Sequence, residues 1–193
     1  MSHKAEQKQK SHQAILDSAA TLMRQRGIQS SSVLDVMRGA GLTVGGFYGH
    51  FESKEQLFIA TMKHAAGEMW NKLLQISPDS PPRERVLHVL GRYLSRRHRD
   101  TPEAGCILPN IAAEVARQGE PYSSALAQEL SHFVQSLAEI LGGKPGSREM
   151  ALGLIALMYG ALSLSRALAG TALSDEFLAA AKRLGTLAVT DLP

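Results

Sequence analysis

Apolar residues recur every three to four positions over almost the whole chain. Ile15, Ala19, Leu22 and Met23 form one stripe between residues 11 and 26, the spacing of an amphipathic helix. Gly27 follows Arg24 and Arg26 and stops it. Ser32 and Asp35 then have the spacing of a capping box and open a second helix, with Val33, Val36 and Met37 on its buried side. Gly39 and Gly41 end that helix. Thr43 is placed to cap a third helix of about two turns, and Ser53 with Gln56 opens a fourth, through Leu57, Phe58 and Met62 to Leu74. A Ser/Pro-rich break at 77–82 is followed by helices predicted near 83–98, 103–117, 122–141, 147–169 and 174–189. No stretch alternates apolar and polar residues, and no Asn-Gly hairpin signal occurs. The fold expected is all-α, with about nine helices: an N-terminal three-helix helix-turn-helix head (1–55) and a C-terminal helical ligand-binding and dimerisation domain (56–193).

Charge changes this picture by its distribution. Residues 1–64 carry eight Lys or Arg against five Asp or Glu, while the rest carries thirteen of each. The net +3 therefore sits wholly in the first third, where a positive surface favours polyanions. Lys4, Lys8 and Lys10 form a basic arm ahead of the first helix, which is expected to start near Ser11. A single cysteine, Cys106, excludes an internal disulfide and suits a reducing compartment. The first twelve residues hold no apolar run of the secretory kind. The longest weakly charged stretch, 150–165, falls short of the roughly 20 residues a bilayer span needs. A cytoplasmic protein with no membrane partner is the expectation.

The second and third helices, joined by a glycine-containing turn, make a helix-turn-helix pattern. The second helix of such a pair enters the major groove by its N-terminal residues, here Thr43, Val44, Gly45 and Gly46. Paired glycines in a helix cost roughly 1 kcal/mol each relative to Ala, which close approach of the backbone to DNA would offset; tight helix packing would offset it equally. Tyr48 and His50 follow on the far side, where a phenol and an imidazole reach phosphate oxygens. Lys54, in the first turn of the next helix, is placed for a phosphate ion pair. Phe47 and Phe51, four apart, are the anchors to the first helix.

Residues 11–64 resemble the DNA-binding region of the tetracycline-repressor (TetR) family of bacterial transcription regulators. The likeness is carried by Ile15, Ala19 and Gly27, by Ser32-Val33-x-Asp35-Val36, by Ala40-Gly41-Leu42-Thr43, by Gly45-x-Phe47-Tyr48-x-His50-Phe51 and by Ser53-Lys54-Glu55-x-Leu57. Two positions depart from it: Met37 replaces a small residue, and Gly46 replaces a small hydroxyl. The resemblance implies that Thr43, Tyr48, His50 and Lys54 contact phosphates, that Val44 and Gly46 face bases, and that Ser32 presents helix N–H groups to a phosphate. It also implies a small-molecule effector held among the middle helices, for which Trp70, Met69, Tyr93, Tyr122, Phe133 and Met158 are the bulky lining candidates.

One such head reads too few base pairs, so a homodimer on a double-stranded operator with half-sites about 34 Å apart is expected. Gly153, Ala156, Leu157, Gly160 and Leu164 share one helical face, and Phe177, Ala181 and Leu184 another. Two such helices from each subunit would form a four-helix bundle. Cys106 falls near a predicted helix N-terminus, downstream of Arg96, Arg97, His98 and Arg99, an arrangement that lowers a thiol pKa. Its segment resembles that of family members whose cysteine senses oxidants or electrophiles. No metal, nucleotide or nucleophile motif occurs, so no catalytic residue, metal or cofactor is expected. The competing class is a helical small-molecule-binding or scaffold protein without sequence-specific DNA binding.

Overall fold

Helix boundaries follow the caps. Ser32 accepts a hydrogen bond from the Asp35 N–H at 3.0 Å. Ser53 accepts one from the Gln56 N–H at 3.0 Å, and the Gln56 side chain accepts in return from the Glu52 N–H at 2.6 Å. The computed structural model describes residues 3–190 and 192. Among the described residues there are nine α-helices: α1 (His3–Arg26), α2 (Val33–Gly39), α3 (Lys54–Leu74), α4 (Pro82–Tyr93), α5 (Arg96–Asp100), α6 (Leu108–Gln118), α7 (Tyr122–Ile140), α8 (Ser147–Ala167) and α9 (Ala172–Ala188). Val44–Gly49 and Pro102–Ala104 are 3-10 segments, and no strand occurs among the described residues. The all-α expectation holds.

Four expectations are corrected. First, α1 begins eight residues early and carries Lys4, Lys8 and Lys10, because residues 5–10 are good helix formers that extend an established helix cheaply. Second, the third predicted helix is a 3-10 segment, and Thr43 makes no side-chain capping bond. Its glycines weaken the α-helical ladder, and the Gly46 N–H closes onto Thr43 O three residues back. Third, the predicted helix 83–98 breaks at Leu94–Ser95, where Ser95 recaps the chain by accepting from the His98 N–H at 3.1 Å. Fourth, α6 starts at Leu108 rather than 103, since Gly105 is extended and Pro109 sits in the first turn.

The chain divides into two compact units. The first comprises the chain up to Glu68 together with Cys106–Ala127; the second comprises Met69–Gly105 and the chain from Gln128. The first unit thus reaches past residue 55 and takes in α6. Its core is Ile15, Ala19 and Met23 of α1, Val36 and Met37 of α2, Phe47 and Phe51, Leu57, Phe58 and Met62 of α3, and Ile111 and Val115 of α6. In the second unit α8 and α9 pack along their length, and α4 packs on both. Of the described helices, α8 alone is long and apolar enough to cross a bilayer by length and composition. This exceeds the 150–165 stretch read from sequence. Its inner face, with Ala151, Leu154, Met158, Ala161 and Leu162, is nevertheless buried in the protein.

Polar contacts hold the end of α1. The Asn110 amide donates to the Arg24 carbonyl, and the Ile28 N–H donates to the Glu114 carboxylate at 2.6 Å. Gly27 lies between them with φ 80°, and a Cβ there would sit 2.6–2.8 Å from that carboxylate. Gly27→Ala should therefore cost about 2 kcal/mol or more. Gly41→Ala, at φ 70° with open space around it, should cost only the conformational share, about 1 kcal/mol. Urea unfolding of the two variants measures the difference; equal losses would show that Glu114 imposes no steric limit at Gly27.

Candidate nucleic-acid interface

The short Val44–Gly49 segment keeps its place through two rings. Phe47 and Phe51 are 2% and 4% exposed, their centroids are 6.0 Å apart, and both belong to the core that α1 lines. Burying such rings yields about 1.5–3 kcal/mol each, which a six-residue segment needs because it cannot stand alone. Around it α1, α2 and α3 are cross-braced. Arg26 pairs with Asp35 at 2.7 Å, Ser18 Oγ donates to the Val36 carbonyl at 2.8 Å, and Arg24 pairs with Glu68 at 2.9 Å. Asp17 meets His64 at 2.8 Å.

With the phenylalanines turned in, the intervening residues turn out. Tyr48 is 76% exposed and Val44 40%; Thr43, Gly45 and Gly46 are exposed as well. Nothing lies within 4 Å of a Cβ built at Gly45, and only Met37 Cε, at 3.9 Å, approaches one at Gly46. Packing within the protein therefore does not demand either glycine. Lys54 is half-buried, its ammonium 5.6 Å from the Phe58 ring centroid and 3.5 Å from the Gln29 carbonyl, so it is held near the α2–α3 surface. His50 is less open than expected. It is half-buried beside His12, with centroids 5.7 Å apart, and its buried Nδ1 has no partner among the described residues. Burial, then the charges of His12 and Lys8, hold its pKa below the ordinary histidine value. Ser32 is exposed, but its hydroxyl is committed to Asp35, donating to the carboxylate at 2.8 Å and accepting from the N–H. Hydrogen bonds from Ser32 and Arg26 lower the Asp35 pKa. A fixed negative charge thus already occupies the start of α2, as the capping-box spacing implied; its pairing with Arg26 is the feature that spacing did not reveal.

The expected ligand residues divide between the units. Tyr122 and Cys106 belong to the first; Trp70, Tyr93, Phe133 and Met158 belong to the second. Trp70 and Phe133 stack face to face, 3.8 Å apart and 4° from parallel. Tyr93 instead meets His98 edge-on at 4.6 Å. Cys106 is 2% exposed and lies ahead of α6 rather than inside a helix beginning at 103. None of these six lines the cavity of about 520 Å³ in the second unit; of the bulky candidates only Met69 does, beside Leu73, Lys72, Arg92, Arg97 and His98. The basic run that forms part of it was visible in sequence only as a neighbour of Cys106.

The expected dimer face is mostly outward. Gly153, Ala156, Leu164 and Leu184 are exposed, Leu157, Gly160 and Phe177 are half-buried, and a Cβ at Gly153 or Gly160 meets nothing within 4 Å. Ala181 is different: at 4% exposure it is buried within its own chain. It shares the buried side of α9 with Leu178, whereas Leu184 and Leu187 are exposed.

A short helix, a turn and an outward reading segment braced on a third helix define a helix-turn-helix protein, here carried by an all-α chain. Residues 15–61 match the family described as bacterial regulatory proteins, tetR family. The chain is 31% identical over 106 residues to the HTH-type transcriptional regulator AcrR of Shigella flexneri, covering 51% of this chain and 49% of that one. It is 34% identical over 62 residues to the HTH-type transcriptional repressor KstR2 of Rhodococcus jostii, covering 32% and 30%. The matched region thus spans about a third to a half of those relatives. A crystal structure of a TetR transcriptional regulator from Chloroflexus aurantiacus superposes with TM-score 0.79 at 22% identity over 97% of this chain and 98% of that one, a likeness of fold. The likeness to the TetR family is thus carried in sequence by residues 15–61 and, as fold alone, by nearly the whole chain.

His98 gives the second unit a pH dependence. Burial pushes its pKa from the ordinary 6.5 down to about 4, against the opposing hydrogen bond with the Tyr93 carbonyl, while the Arg166 charge lowers it further. Between pH 6.5 and 4 the unfolded chain takes up a proton that the folded chain refuses, so stability falls as pH falls through this window. About 2 kcal/mol should be lost between pH 7 and pH 5 on this account. Urea unfolding at both pH values should show a clearly smaller loss in His98→Gln; identical losses would assign the effect to other groups.

Proposed function

We propose that this chain is a bacterial DNA-binding transcription regulator, a cytoplasmic homodimeric repressor that grips a two-fold symmetric operator and is released by a small-molecule effector. The observation that carries the reading is the outward face of the Val44–Gly49 segment. A tyrosine three-quarters exposed stands beside two glycines that nothing inside the protein requires. A phenol at that height serves a phosphate oxygen, and bare backbone at Gly45 and Gly46 lets a DNA strand come close. In this reading Thr43, Tyr48, His50 and Lys54 hold phosphates, and Val44 offers a methyl-bearing edge to the bases. Ser32 contributes only through backbone, since Asp35 occupies its hydroxyl. That KstR2 is a transcriptional repressor supports repression as the mode of action.

The outward apolar positions of α8 and α9 support the dimer. Leu152, Leu164, Leu173, Leu184 and Leu187 are 45–68% exposed, more apolar side chain than two adjacent helices usually leave to water. The small residues Gly153, Ala156 and Gly160 allow a partner backbone to approach. An effector releases DNA only by preferring an arrangement that binds the operator poorly.

An electrophoretic shift assay on the DNA upstream of the chain's own reading frame tests the regulator. Wild type should bind, and Lys54→Ala should reduce the salt dependence of log K by about one. Gly45→Ala should raise stability by about 0.5–1 kcal/mol, since its φ is not positive and space is open, yet lose most of its DNA affinity. A stabler protein that binds DNA as before would place Gly45 outside the interface. For the dimer, light scattering at micromolar concentration should give twice the chain mass for wild type and a single chain mass for Leu184→Glu. A monomeric wild type would sink the dimer.

A further inference from the structure

The most basic run in the chain, Arg96-Arg97-His98-Arg99, has no part in the reading segment, and the structure splits its charges. Arg96 donates twice to Asp175, at 3.1 and 2.8 Å. Arg99 donates to Asp175 at 2.7 Å and to Asp100 at 2.6 Å. These two guanidiniums are neutralised by carboxylates on α5 and α9. Arg97 points elsewhere. With Lys72 of α3 and Arg92 of α4 it lines the cavity of about 520 Å³, together with Ser95, Thr101 and the apolar Met69 and Leu73.

No carboxylate lines this cavity, and none of Lys72, Arg92 and Arg97 enters an ion pair among the described residues. Arg92 is held in place by donating to the Lys72 carbonyl at 2.9 Å, one of its five N–H groups. Three cations around one concavity repel each other and focus a positive potential into it. A bound anion relieves that cost, and a guanidinium is shaped to hold a carboxylate through two parallel hydrogen bonds. Met69 and Leu73, 8% and 3% exposed, offer hydrocarbon on the same wall. The volume lies within the range of small-ligand sites.

We propose that this cavity binds a small amphipathic organic acid, its carboxylate held by Lys72, Arg92 and Arg97 and its hydrocarbon part laid on Met69 and Leu73. The inference gives the effector a chemical class and rests on the regulator reading for its meaning, though not for the binding itself.

Octanoate is the probe, with 1-octanol as its uncharged counterpart and acetate as the headgroup alone, titrated into the full chain by calorimetry at fixed ionic strength. Trp70, the single tryptophan, adjoins Met69 and gives a local fluorescence readout. Octanoate should saturate one site per chain, with octanol and acetate at least about tenfold weaker. Lys72→Ala and Arg97→Ala, both at exposed positions, should each weaken octanoate about tenfold without lowering the melting temperature. The inference is overturned by absent octanoate binding, by octanol binding as tightly, or by unchanged affinity in the Lys72→Ala/Arg97→Ala double variant. The same preparation is assayed on the upstream DNA. Tight DNA binding with no octanoate heat fails this inference alone, whereas octanoate binding without DNA binding fails the regulator reading and leaves the site standing.

Discussion

Everything that faces outward from Val44–Gly49 depends on Phe47 and Phe51 facing inward. A six-residue 3-10 segment with three glycines has too few hydrogen bonds to hold itself in water. Its conformation is therefore set by the α1 side chains that receive the two rings, and His12 extends that surface by stacking on Phe51 at 4.8 Å. The exposure of Tyr48 follows from this: the residue beside one anchor must point away from it, with its ring set edge-on to Phe47 at 5.2 Å. Met37 completes the support from below, where a smaller side chain would leave a gap beneath Gly46.

The same logic sorts the charges of the first third. Arg24 and Arg26 look like part of a basic surface in the sequence, but Glu68 and Asp35 consume them. Their work is to fix the angles between α1, α2 and α3. The positive field left for a polyanion comes from the exposed Lys4, Lys8 and Lys10 along the start of α1, from Arg38 at the end of α2, and from Lys54. On the proposed reading, these solvated cations would contribute affinity for a polyanion chiefly through release of its counterions. On the same reading, shape and backbone approach at Gly45 and Gly46 would carry more of the discrimination than side-chain hydrogen bonds to bases.

Helix order and most of the first unit's core were legible because their signals are local. Apolar residues at helical spacing, two capping boxes and breaker clusters act within a few residues, and the stripe through Ile15, Ala19 and Met23 is the one buried. What escaped depended on distant partners or on competition between nearly equal local states. Ser95 could have continued a helix; its hydroxyl captured the His98 N–H instead and cut 83–98 in two. Ala181 belongs to a convincing apolar stripe, but which side of that stripe faces its own chain is decided by α4 and α8. Asp35 reads as a helix-start residue, and only the arrival of Arg26 turns it into a brace. The division of Arg96, Arg97 and Arg99 needed Asp175, which lies 76–79 positions away.

The end of α1 is the most heavily tied point of its junction with α3 and α6. Three groups from two other helices converge there: Glu68 on Arg24, Asn110 on the Arg24 carbonyl and Glu114 on the Ile28 N–H. Such contacts are short-ranged and directional, so they cannot stretch gradually. If α6 shifts along its axis by even part of a turn, the bonds from Asn110 and Glu114 break together, and Gly27 gains or loses its carboxylate neighbour. The neutral Asn110 bond contributes about 0.5–1.5 kcal/mol and the charge-assisted Glu114 bond about 1.5–3 kcal/mol, comparable to the 1–3 kcal/mol by which effectors usually couple to a distant site. An effector that moved α6 would thus act on the reading segment through α1, whose middle turns carry the surface on which Phe47 and Phe51 rest. Because α3 holds the other side of α1 through Glu68 and runs without a break to Leu74, the position of α1 is set jointly by two helices. A displacement of either alone leaves α1 with a conflict that only a change in its own position relieves.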